Sequence, residues 1–194
     1  MRVKTIIMCV LLSFALAATV AAKDKKQTED YTKHPGYVDF DALEIFADED
    51  AKIEVYLKQP MLKLLSEFAK HEDPELFEMF SKLKLVRVQV FEVTRELAEK
   101  FEEVSSKTIK ELDKKGWERV VRVREDDDRV YVYLKPSDDY DFIEGIVVIA
   151  IEDFEEAVFV NIVGEINPAD IGRLSSHFGI EELDSIRYEV EKGN

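Results

Sequence analysis

Apolar and polar residues alternate over 52–58, Lys-Ile-Glu-Val-Tyr-Leu-Lys, the period of a strand with one buried face. Pro60 suits the first turn of a helix, and from there the period changes. Leu62, Leu65, Phe68 and Ala69 recur at three- and four-residue spacing. A break is expected near His71. Asp73-Pro74 then predicts a second helix, with Asp as N-cap and proline in its first turn. Leu76, Phe77 and Phe80 form its stripe. Alternation returns over 84–93, and Thr94 predicts the cap of a third helix reaching about Lys115. Its narrow apolar face is Leu97, Phe101, Val104, Thr108 or Ile109, and Leu112, with Gly116 as its terminator. Charges surround that stripe so densely that the helix is expected on the outside of the molecule.

The second half of the chain turns to strands. Residues 117–124 and 129–135 flank the acidic run Glu125-Asp126-Asp127-Asp128, which reads as a hairpin turn. Residues 144–151 and 157–163 are apolar on nearly every position, as strands covered on both faces are. Asn167-Pro168 predicts the start of a last helix through Ile171, Leu174 and Phe178, ended by Gly179. The expected fold is α+β: a six-stranded, mainly antiparallel sheet with an initial βαβ crossover and helices packed on one face. Val-Tyr-Leu-Lys-Gln-Pro at 55–60 echoes Val-Tyr-Leu-Lys-Pro at 132–136; duplication would explain it, but matches this short also arise by chance.

The first 22 residues differ in kind from the rest. Arg2 and Lys4 precede an apolar run from Ile6 to Leu16. Small residues follow, with Val20 and Ala22 at the −3 and −1 positions of a cleavage site. The run is short for the roughly 20 residues that span a bilayer. The segment 1–22 therefore reads as a cleaved signal peptide, 23–34 as a flexible polar leader and 35–190 as a single domain. Localisation is expected to be periplasmic or extracellular, with no membrane insertion after cleavage. Without Arg2 and Lys4, the 27 basic residues become 25 against 42 acidic ones, a net charge of −17. Such a chain repels nucleic acid. Cys9, the one cysteine, leaves with the signal. The mature chain then has no disulfide and no thiolate site.

Candidate chemistry is sparse. His34, His71 and His177 stand far apart, so no metal site is expected. The acidic clusters 48–50, 126–128 and 138–141 lack the spaced oxygens of a calcium loop and read as solvated turns. Ser175-Ser176-His177 sits on one helix turn, where adjacent side chains diverge, so it does not make a nucleophile–base pair. No catalytic residue and no cofactor is expected. One pattern does stand out. If Ile53, Val55 and Leu57 face the helices, the same parity turns Tyr56, Arg87, Gln89, Arg122, Arg124, Tyr131 and Tyr133 to the other face of the sheet. Arg119 fits this parity awkwardly. An Arg–Tyr face on an acidic protein suits anionic or aromatic ligands and protein partners. Tyr and Arg on an exposed sheet face also simply pack well across strands.

Gly36-Tyr37-Val38-Asp39-Phe40, the passage 55–62 and the run 157–168, Ala-Val-Phe-Val-Asn-Ile-Val-Gly-Glu-Ile-Asn-Pro, resemble a family of bacterial envelope proteins, the domain of unknown function numbered 4252. The resemblance covers about residues 36–187. It implies an exported protein and assigns no activity or functional residue. Some members look like lipoproteins; this chain has no Cys at the cleavage point. The expected function is a non-enzymatic module in the periplasm that binds an envelope protein or a small anionic ligand through the open sheet face. Two alternatives stand beside it: a hydrolase using carboxylates, and a scaffold that self-associates.

Overall fold

Where every second residue is apolar, a strand can bury one face; where all are, it must be covered on both. The computed structural model follows this rule over the residues it describes, which are 30–39, 51–71, 73–125, 128–152 and 155–171. Contacts divide the chain into two units, Asp30–Asn167 and Met1–Glu29 with Pro168–Asn194. The described part of the second begins with a 3-10 turn at Pro168–Asp170. The expected signal segment, the acidic run 48–50 and the last helix beyond Ile171 lie outside the described residues.

The first unit opens with a 3-10 turn, Tyr31–Lys33, capped by the Asp30 side chain. Six strands follow: β1 (Ile53–Lys58), β2 (Leu83–Glu92), β3 (Glu118–Glu125), β4 (Asp128–Pro136), β5 (Ile143–Glu152) and β6 (Glu156–Ile166). Helices α1 (Gln59–Ala69) and α2 (Pro74–Lys82) join β1 to β2, and α3 (Arg95–Lys114) joins β2 to β3. The caps match the residues that promise them. Asp73 accepts from the backbone N–H groups of Glu75 and Leu76, and Thr94 accepts from that of Leu97. Gly116 takes φ +75°, the left-handed conformation that terminates a helix.

The sheet runs β1-β2-β6-β5-β4-β3, and every neighbouring pair is antiparallel. The two most apolar strands, β5 and β6, lie at its centre, as their composition requires. Both faces of β6 are buried, with Phe159 on one and Val160 on the other. Each such side chain withdrawn from water contributes about 1.5–3 kcal/mol. Among the described residues, the sheet's two edges are β1 and β3.

The register aligns residues across all six strands on one face. One row reads Tyr56, Arg87, Asn161, Val147, Tyr133, Arg119; the next reads Glu54, Gln89, Phe159, Ile149, Tyr131, Arg122. This is the Arg–Tyr face of the alternation, but its centre is not open. Tyr131, Tyr133, Phe91, Ile149 and Phe159 form a core cluster with Leu112 of α3 and Trp117, and Leu97 and Ile109 of α3 pack against it. Leu97, Ile109 and Leu112 of the α3 stripe thus lie against this face. A register shift between Arg119 and Val121 explains the awkward parity of Arg119, because Val120 is an extra residue on β3.

Candidate functional site

The rest of that face is crossed by residues 30–39. Asn161, fully buried, fastens this strap: its Nδ2 donates to Gly36 O at 3.0 Å and to Ile146 O at 3.2 Å, and its Oδ1 accepts from Val38 N at 3.0 Å. The strap lies so close to β5 that a Cβ on Gly36 would collide with Glu144 O, and one on Gly145 would lie 2.6 Å from Gly36 Cα. Two of the passages that carry the family resemblance, at 36–40 and 157–168, are thus joined by hydrogen bonds.

Where the strap starts, it builds a corner on edge strand β1. Tyr31 and Tyr56 place their hydroxyls 2.5 Å apart, and their rings meet edge-on with centroids 6.4 Å apart. Tyr37 stacks obliquely on Tyr31 at 5.8 Å. The exposed Lys58, two residues along β1, holds Nζ 4.8 Å from the centroid of Tyr56 and 5.6 Å from that of Tyr31. Arg87, cross-strand from Tyr56, brings its guanidinium within 5.6 Å of the same ring. A cation over the face of a phenol ring is attracted by the ring's quadrupole, the more so as water is withdrawn. The corner gathers two cations and three rings in a chain whose net charge is −15. Partial burial, then the hydrogen bond with Tyr31, pushes the Tyr56 phenol well above its usual range. A phenol held neutral offers a hydrogen bond rather than acting as a base.

The seven expected site residues are dispersed by the fold. Tyr56 is 40% exposed, and Arg122 and Arg124 are exposed on β3. Arg87 and Gln89 are buried, with Gln89 Nε2 bonded to Glu54 Oε1 at 3.3 Å. Tyr131 and Tyr133 belong to the core; the Tyr131 hydroxyl accepts from Arg124 Nε and Nη2 at 3.3 and 3.2 Å. The open face therefore reduces to its two margins, the Tyr56–Arg87 corner at β1 and the arginines of β3. Sequence reasoning missed Tyr31 and Asn161, and it left Lys58 out of the site although the alternation of β1 puts Lys58 on the same face as Tyr56. The signal for Asn161 is an amide inside an otherwise apolar run, since a buried amide must find partners. Tyr31 gave no signal, because only the path of the strap brings it to β1.

Of the acidic clusters, 138–141 is described in full. It is a turn in which Ser137 Oγ donates to Asp139 Oδ1 at 2.6 Å and Tyr140 takes φ +63°. That hydrogen bond holds the Asp139 carboxyl below its usual range. No group of three or more His, Cys, Asp or Glu suited to a metal ion occurs among the described residues. No helix among them is long and apolar enough to cross a membrane. His71 is exposed, whereas Ser175, Ser176 and His177 lie outside the described residues.

A family model described as Domain of unknown function (DUF4252) matches residues 46–174, more than half of the chain. No curated protein and no solved structure matches.

Proposed function

The chain belongs to the family of the domain of unknown function 4252, and from that premise we propose that it is an exported, non-enzymatic binding module of the cell envelope. The β1 corner would take an anionic group of a protein partner or small ligand. Export is supported by the sequence of residues 1–22: a basic start, an apolar run and small residues before Lys23.

The observation that carries the binding role is the exposed Lys58 ammonium seated over Tyr31 and Tyr56 beside Arg87. The rings hold the ammonium in place, and an anion meeting it finds nearby the one O–H that the hydrogen-bonded Tyr31–Tyr56 pair leaves free to donate. The net charge of the molecule is negative, so an anionic ligand is disfavoured wherever cations do not gather.

The test is made in intact cells with a photocrosslinking residue at Tyr56, and at Tyr140 as an exposed control on a distant turn. The expected result is one dominant adduct from position 56, lost in Lys58→Glu, on protein whose N-terminus is Lys23. Adducts that survive Lys58→Glu, or material from the cell interior that retains Met1, would reject the reading.

A further inference from the structure

The second margin of the face has a chemistry of its own. Strand β3 is an edge, paired among the described residues with β4 alone, and its residues 118–120, 122, 124 and 125 are exposed. Its pairing closes with Glu125 opposite Asp128. A pair that leaves two residues between its members is a hydrogen-bonded pair, and such pairs recur at every second position. Glu125, Val123 and Val121 therefore direct their main-chain groups to β4, and Arg122 and Arg124 direct theirs to the open edge. Their side chains rise on one face, with Val121 and Val123, half-buried, on the other.

We propose that β3 receives an extended segment of a partner protein by strand addition, and that the segment alternates acidic and apolar residues. Main-chain bonds to Arg122 and Arg124 supply the pairing, and the guanidinium groups, that of Arg124 held in place on the Tyr131 hydroxyl, select by their charge the acids that come to lie opposite them. The occupant follows from charge and geometry. A second copy joined edge to edge must share its faces with the first, because residues opposite one another in antiparallel strands point the same way. Its arginines would then meet these arginines, and like charges directly opposed are destabilising. The edge is built against its own copies and toward acids. The proposal goes beyond the reading of the β1 corner, which lies on the opposite edge, and stands or falls without it.

The test uses a fluorescent, end-blocked heptapeptide alternating glutamate and valine, titrated into the protein and followed by anisotropy. Two control peptides replace glutamate by lysine, or carry N-methyl groups on the edge that would face β3. Saturable binding of the glutamate peptide is expected, with at least tenfold loss for each control. Arg122→Glu with Arg124→Glu should reverse the preference between glutamate and lysine peptides. Binding undiminished by N-methylation, preference unchanged in the folded double variant, or no binding by the unaltered protein overturns it. The N-methyl comparison uses the unaltered protein, so it decides even where the double variant fails to fold.

Discussion

The Asn161 side chain makes three hydrogen bonds inside the sheet, two of them to a strap more than 120 residues away in sequence. Removing it takes away the partner of the half-buried Val38 N–H and of the buried Gly36 carbonyl, and a buried polar group left unsatisfied costs about 1–3 kcal/mol. Asn161→Ala is therefore expected to lose about 2–4 kcal/mol in urea unfolding, part of it from the cavity. The accompanying sign is local: the Val38 amide should exchange with solvent far faster than core amides. A Val38 amide that stays protected would mean that close packing of Gly36 on Gly145, not the amide, holds the strap. Because the strap carries Tyr31, the same substitution should loosen the β1 corner. Tyr133 belongs to this scale too. Its phenol is pushed up by burial, with neighbouring Arg119 pulling the other way, as suits a ring that fills the core rather than one that reads a ligand.

At the scale of elements, alternation and caps located every strand to within a residue or three, and the helix starts at Asp73 and Thr94 follow from residue chemistry alone. What alternation cannot say is which element lies over which face. The α3 stripe was legible and the helix's charged residues around Leu112 are exposed as expected, yet the face under the stripe was not foreseen, and Tyr131 and Tyr133 passed for surface residues because a phenol suits either place. Helix α1 shows a finer form of the same limit. Periodicity groups Leu62, Leu65, Phe68 and Ala69, but the buried positions are Leu62 and Ser66, whose Oγ donates to Lys63 O. Phe68 is 67% exposed, and with Met61 and Leu64 it forms the outer rim of a wide apolar arc. Leu62→Ala should therefore cost about 2–5 kcal/mol, whereas Phe68→Ser should stay within about 0.5 kcal/mol. Paired thermal melts decide it; comparable losses would place Phe68 in the core.

For the molecule as a whole, the excess of acids sets a field that local cations interrupt. A net charge of −15 concentrated by folding repels itself. Raising sodium chloride from about 10 to about 150 mM shortens the screening length from about 30 to about 8 Å. That screening should weaken the repulsion and raise Tm by about 2–4 °C, the equivalent of about 1 kcal/mol in a chain of this size. The same salt weakens the bridges from Lys52 to Glu92 and Glu156, at 2.8 and 3.0 Å, but these act over a short range. A falling Tm would show that such pairs outweigh the net charge. The field also governs approach to β3. An acidic peptide must cross a repulsive region before it meets Arg122 and Arg124, so its association should quicken with salt even as its dissociation quickens. Attraction felt from afar would give the opposite, a slower association, and the arginines would then set the field well beyond their own strand.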